Sequence, residues 1–297
     1  MNKRLKKLLL AGSVVSCAVA GLAGGAPELP PLTTISGNPR LPGKFVWADL
    51  VTDNVAVAQN FYTGLFGWSF RTVGNYTIAY NDERPLAGIF HRPRPGNQPQ
   101  AKPRWFGYVS VDNVEKAHRA VVQRGGRVLA APQKMPKRGE QAIFADAEGA
   151  VFGVVKSRAG DPQDFLPEPG DWIWLQLLSK DGKKAAEFYR DVAGYEIIEN
   201  TSSNRVSDYV LAGDGYARAT VRTIPAARQS EVSPNWLPFV RIKNISATVA
   251  KVEQLGGKVL LAPKPEVFAG KVAVIADPTG AAIGLLEWTG AAMKGGF

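Results

Sequence analysis

"FVWADLVTDNVAVAQNFYTGLFGW", residues 45–68, carries two hydrophobic periods in succession. Residues 45–51 alternate as a strand does; Val55, Ala58, Tyr62 and Leu65 then share one face of a helix that Thr52 is placed to cap and Gly67 to end. The same order returns in "WIWLQLLSKDGKKAAEFYRDVAGY", residues 172–195, with Trp174 in the place of Trp47 and Phe188–Tyr189 in that of Phe61–Tyr62. Farther on, "WFGYVSVDNVEKAHRAVVQRGGRVLAAP" (105–132) matches "WLPFVRIKNISATVAKVEQLGGKVLLAP" (236–263). A period of about 130 residues is too long for a solenoid repeat, so the chain holds two copies of a whole domain.

Each copy divides again. In the first, the strand and helix are followed by short strands near 68–72, 76–80 and 86–91. A second strand over 106–111 and a helix over 114–124, closed by Gly125–Gly126, lead to strands near 127–130, 142–146 and 151–156. Each copy is thus two βαβββ units, and the chain holds four. The reading gives domains over 44–158 and 171–290, a Pro-, Gly- and charge-rich linker over 159–170, and a short tail over 291–297.

The last strand of each copy raises a question. "ADAEGAVFGVV" (145–155) and "ADPTGAAIGLL" (276–286) each run from a tight turn into an apolar strand, and each has a glycine four places after the turn glycine: Gly153 after Gly149, Gly284 after Gly280. Glycine inside a strand packs nothing and usually marks a close approach.

The N-terminus has a different character. "MNKRLKK" supplies four cations, an apolar small-residue run follows, and prolines come after it; this is the pattern of a signal peptide over residues 1–20. The only cysteine, Cys17, ends "VVSC", which resembles a bacterial lipobox and makes it the candidate lipidation site, with residues 21–43 as a flexible tether. Cleavage after "AVA" (18–20) is the alternative and would give a periplasmic or secreted soluble protein. Without Lys3, Arg4, Lys6 and Lys7 the formal balance falls from +10 to +6, 32 cations against 26 anions. That mild bias suits anionic membrane surfaces or anionic ligands. The basic stretch "HRPRPGNQPQAKPR" (91–104) has too many prolines and no helical spacing, and reads as a solvated loop rather than a nucleic-acid arm.

The paired βαβββ units, the "FYTGLFGW" helix ending, the GG-x-V helix-to-strand step and the D-x-x-G turn before the last strand resemble the vicinal oxygen chelate superfamily, which includes glyoxalase I, bleomycin-resistance proteins and extradiol dioxygenases. The resemblance spans about residues 44–158 and 171–290. It implies an α+β fold: tandem vicinal oxygen chelate domains whose four units form curved mixed sheets with helices outside. In catalytic members a divalent metal sits in the bowl of paired units. The positions that resemblance maps for its ligands are Trp47 and Trp174 on the first strands, about Phe106 and Leu237 on the middle ones, and Gly153 and Gly284 on the last. Indole, phenyl and glycine supply no donor for zinc, nickel or iron(II). No metal ligand and no cofactor are therefore assigned.

Of the two histidines, His118 lies on a helix beside Val114 and Val121 and reads as packing, while His91 ends a strand and is retained as a candidate ligand-binding residue. HExxH, a phosphate-binding loop with Lys, and GxSxG are all missing from the chain. Glu287 falls on the strand face opposite Gly284, a rim or solvated position. If Trp47 and Trp174 look inward, alternation turns Asp49 and Gln176 inward too, and an indole beside a polar group is what a small-molecule pocket presents. Trp47, Asp49, Trp174, Gln176 and His91 are therefore the candidate binding residues. The carboxylate suits a ligand with a donor or a cation, and the amide a neutral or anionic one.

These readings favour a cell-envelope lipoprotein that binds or sequesters a small molecule without metal. One alternative is a metal-dependent lyase or dioxygenase of the same superfamily; another is a lipid-tethered interaction module whose bowls are filled.

Overall fold

The computed structural model describes residues 29–93, 102–201 and 208–290, so Cys17 and the signal-peptide reading lie outside the described residues. In copy one, β1 (Phe45–Thr52), α1 (Val55–Phe66), β2 (Ser69–Val73), β3 (Tyr76–Asn81) and β4 (Arg84–His91) make the first unit. The second is β5 (Arg104–Ser110), α2 (Val114–Gln123), β6 (Arg127–Met135), β7 (Gly139–Ala145) and β8 (Val151–Ser157). Copy two repeats the order: β9 (Trp172–Ser179), α3 (Gly182–Ala193), β10 (Glu196–Glu199), β11 (Tyr209–Gly213), β12 (Tyr216–Thr223), then β13 (Asn235–Ile242), α4 (Ile245–Gln254), β14 (Lys258–Leu261), β15 (Val272–Ala276) and β16 (Ala282–Glu287).

The helices start and stop for local reasons. Asn54, Asn113, Asp181 and Asn244 each accept a hydrogen bond from the backbone N–H three residues on, satisfying a donor the first turn leaves open. Thr52 was expected as the first cap; it is instead buried at the strand's end, and its hydroxyl accepts from Asn54 N. Gly67 ends α1 as expected, with φ at +78°.

Each copy closes its own eight-stranded sheet, in the order β2-β3-β4-β1-β5-β8-β7-β6 and its repeat β10-β11-β12-β9-β13-β16-β15-β14. Units therefore pair within a copy, and there are two bowls. β1 is parallel to β4 and antiparallel to β5, which sets Asp49 opposite Gly88 on one side and Phe106 on the other. In copy two the same register sets Gln176 opposite Thr220 and Leu237.

Alternation gives each sheet two apolar faces. The inner ones line the bowls: Trp47, Tyr76, Phe106 and Tyr108 in copy one, Leu237, Phe239 and Leu286 in copy two. The outer faces carry the helices and pack copy against copy. Leu50, Phe61, Tyr62 and Trp68 share a core with Val240, Ile283 and Leu285, and Phe144, Phe152 and Val154 share another with Leu177, Phe188 and Tyr189. The first unit thus packs on the fourth and the second on the third, which leaves the bowls facing apart.

Residues 29–43 depart from the tether expected of them. Leu29 and Leu32 are buried in the inner core of copy one, Leu41 N donates to Asp161 Oδ2 at 2.6 Å, and Gly43 N pairs with Ser110 O at 2.9 Å. Burial of the two leucines offsets part of the entropy lost in ordering the strap, and the hydrogen bonds at Leu41 and Gly43 add to that offset. The linker is likewise fixed, since Asp164 holds both Lys44 and Arg218 at 2.9 Å.

Candidate functional site

The strand glycines make room for rings. A Cβ on Gly153 would come within 2.8 Å of Tyr108 Cγ and closer still to the ring edge; one on Gly284 would do the same to Phe239. The ring from the neighbouring parallel strand lies across the bare backbone in both copies. Where the resemblance places a carboxylate ligand, this chain has an aromatic ring over a glycine.

Copy one builds a closed polar nest at the bottom of its bowl. Tyr76 donates its hydroxyl hydrogen to Asp49 Oδ1 at 2.6 Å, and Trp47 Nε1 lies 3.0 Å from that same oxygen and 3.0 Å from the Tyr76 hydroxyl. Gly88 leaves the notch for this contact, because a Cβ there would fall on the Tyr76 hydroxyl. The Arg138 guanidinium lies over the Trp47 ring at 4.6 Å, and its Nε donates to Pro30 O at 3.0 Å. Burial pushes the Asp49 carboxyl up, against the pull of Arg138 and the hydrogen bond from Tyr76. Burial also lifts the Tyr76 phenol well above its ordinary range, with the Asp49 charge adding to it. The cation that was expected of a ligand beside Asp49 is thus supplied by the protein itself.

Copy two keeps its bowl open. A cavity of about 330 Å³ is walled by Leu237, Phe239, Val272, Val274 and Leu286. Trp174 and Gln176 line it with Thr220, which occupies the position of Gly88; the Thr220 hydroxyl accepts from Trp174 Nε1 at 3.0 Å and from Gln176 Nε2 at 3.4 Å. Arg222, Arg228 and Lys264 also line the cavity, and among the described lining residues there is no Asp or Glu, though Arg228 Nε lies 3.5 Å from Glu231 Oε2. The volume and the apolar walls with few polar groups are those of a small-molecule site.

Trp47, Asp49, Trp174 and Gln176 therefore all turn inward, in two bowls of different content. His91 does not join them. It is exposed at the end of β4, on the strand face of Ala87 and Ile89 rather than that of Gly88 and Phe90. His118 stacks on Phe144 with ring centroids 5.9 Å apart, and Glu287 accepts from Ile245 N at 2.8 Å at the start of α4. Arg138 and the leucines of the strap had no sequence signal, because each reaches the bowl from a loop.

The divalent metal implied by the resemblance does not fit these residues. Tyr108 and Phe239 cover the glycines, the remaining mapped positions are indole, phenyl and leucyl, and among the described residues no three His, Cys, Asp or Glu side chains are gathered to hold an ion.

Known proteins bear out the duplicated fold. The Glyoxalase/Bleomycin resistance protein/Dioxygenase superfamily matches residues 44–154 and 173–285. Anthracycline biosynthesis protein DauV of Streptomyces sp. (strain C5) is 30% identical over 261 residues, 83% of this chain and 94% of its own. Anthracycline biosynthesis protein DnrV of Streptomyces peucetius is 30% identical over 262 residues, with the same coverage of 83% and 94%. The Mn(II)-bound glyoxalase from Novosphingobium aromaticivorans superposes with a TM-score of 0.57 at 14% identity, over 83% of this chain and 82% of that one, a likeness of fold alone. With both copies matched and the paired βαβββ sheets in place, the chain belongs to the Glyoxalase/Bleomycin resistance protein/Dioxygenase superfamily as a tandem two-domain member.

Proposed function

We propose that the protein binds a small aromatic or alicyclic carboxylate in the bowl of copy two, without a metal ion. The observation that carries this reading is the open cavity of about 330 Å³ with apolar walls, an indole–hydroxyl–amide cluster and three basic side chains. The rings and aliphatic walls suit a flat apolar body, the Thr220 and Gln176 groups a polar substituent, and Arg222, Arg228 and Lys264 its negative charge. Two relatives named for anthracycline biosynthesis support an aromatic ligand. A lyase or dioxygenase would need metal donors that the mapped positions do not supply. The filled-bowl alternative does not describe copy two, whose bowl is open.

The same proposal holds the protein at the bacterial cell envelope by lipid on Cys17, a reading that rests on "VVSC" after the cationic leader. The binding test is titration with benzoate, 1-naphthoate and the uncharged 1-naphthamide, followed by tryptophan fluorescence. Naphthoate should bind best, Trp174→Phe should lose most of the quenching, and Arg228→Gln should weaken the carboxylate and leave the amide unchanged. Equal binding by wild type and Trp174→Phe with unaltered quenching would place the site elsewhere.

A further inference from the structure

Copy one buries more polar atoms than the protein satisfies. Asp49, Tyr108, Arg138 and Gln141 are each less than a tenth exposed. Among the described residues, Asp49 Oδ2, the Tyr108 hydroxyl, both terminal guanidinium nitrogens of Arg138 and Gln141 Oε1 have no partner at full hydrogen-bonding geometry, while Tyr108 and Arg138 both stand close enough to Asp49 to act on its charge. Two of these side chains are nevertheless held firmly. Asp49 is fixed through Oδ1 by Tyr76 and Trp47, and Arg138 through Nε by Pro30 and through its face by the Trp47 ring. Each is anchored by one set of atoms and offers the other set to the bowl. Unpaired buried donors and acceptors are costly, charged ones most of all, so so many together ask for a partner.

The scaffold does not require them. The duplicated register puts Gln176 at the place of Asp49, Phe239 at that of Tyr108 and Val272 at that of Gln141, and the matching loop puts Ala269 at that of Arg138. Copy two folds the same sheet with three of the four groups replaced by apolar side chains. The sheet itself therefore does not need the polar quartet.

We propose that bowl one encloses a second binding site, for a small carboxylate bearing a hydroxyl or ammonium group beside it, with Leu29–Leu32 as its lid. The two free Arg138 nitrogens match the two oxygens of a carboxylate, and the Tyr108 hydroxyl adds a third donor. Asp49 Oδ2 and Gln141 Oε1 are left to accept from the ligand's own donor. Leu29 and Leu32 pack in the same cluster as Trp47 and Tyr108, and Pro30 O is the lid's bond to the guanidinium. Entry then requires the segment before Leu41 to lift while Asp161 keeps its hold on Leu41 N.

The full chain is tested with glycolate and glycine, which separate the hydroxyl from the ammonium form, and with acetate, which lacks the donor. Calorimetry and thermal melting at about 10 mM probe report binding to the native state. Glycolate or glycine should raise the melting temperature more than acetate does. Arg138→Ala and Gln141→Val, residues that copy two already tolerates, should remove that rise, and Tyr108→Phe should weaken binding about tenfold. The double substitution Leu29→Ala/Leu32→Ala should speed association in stopped-flow fluorescence. The proposal is overturned if neither probe stabilises the wild type or the lid variant, or if Arg138→Ala binds them as the wild type does. None of these substitutions lines the cavity of copy two, so naphthoate binding there succeeds or fails independently.

Discussion

Tyr62 of copy one donates its hydroxyl hydrogen to Asp277 Oδ2 of copy two at 2.9 Å, and Tyr189 of copy two does the same to Asp146 Oδ2 of copy one at 3.0 Å. Each tyrosine oxygen in turn accepts from an indole, Trp105 at 2.6 Å and Trp236 at 2.7 Å. Each aspartate uses its other oxygen to gather backbone N–H groups of its own turn, from Glu148 and Ala150 or from Thr279, Gly280 and Ala281. The tyrosine of "FY" and the aspartate of D-x-x-G are thus two ends of one contact, made twice across the copies.

Removing either hydroxyl leaves a buried carboxylate oxygen short of a partner. Tyr62→Phe and Tyr189→Phe should each cost about 1–3 kcal/mol. Urea denaturation should show a lower midpoint in each variant at an unchanged slope, since the surface exposed on unfolding is the same. Wild-type midpoints in both would remove these contacts from the account of how the copies hold together.

A side chain at the strand glycines should be resisted by the ring above it. Gly153→Ala should destabilise by about 1–3 kcal/mol through overpacking against Tyr108, and a double-mutant cycle with Tyr108→Ala should recover part of that loss. Gly153→Glu should bind no zinc, nickel, iron or manganese, because one carboxylate does not make a site. Elemental analysis of that variant, and of the wild type with and without chelator, checks this; stoichiometric metal in either would revive the enzymatic alternative.

Burial of Asp49 should give the protein a pH dependence whose sign follows from the raised carboxyl. Its folded carboxyl is raised by burial, so the folded state holds the proton more tightly than the unfolded chain does. The stability due to this group is therefore full below the ordinary carboxylate value of about 3.9 and is lost as pH rises through the higher folded value. Asp49→Asn removes the titration. The unfolding free energy of the wild type minus that of the variant should fall with pH across this window, and a flat difference would contradict the raised carboxyl.

The envelope proposal assigns the lipid anchor to Cys17. Mass spectrometry of the native protein should find a lipid-modified N-terminal cysteine, and Cys17→Ala should release the protein from the membrane fraction. An unmodified N-terminus at Gly21 would exclude the anchor.

The fold was legible because its signals are local and doubled. The periods of Val55, Ala58 and Tyr62, the αL glycine at 67 and the alternation that turns Trp47 and Asp49 to one side are each set within a few residues, and copy two repeats them. What stayed hidden is long-range. Nothing near Tyr62 announces Asp277, and nothing in "PELPPL" tells Leu29 and Leu32 that a bowl is waiting for them, because those contacts depend on how whole sheets are placed. The unlike contents of the bowls were half legible. Asp49 against Gln176 marked a difference, whereas the substitution of Thr220 for Gly88 and the reach of Arg138 needed the register to acquire meaning.

The core shared between copies has one more consequence. Two identical subunits related by a twofold axis must carry identical chambers, and they separate on dilution. Here the same back-to-back contact is made within one covalent chain. Its integrity is independent of concentration, and each half is free to diverge, so a sealed chamber and an open one can travel together as a fixed pair in a ratio of one to one.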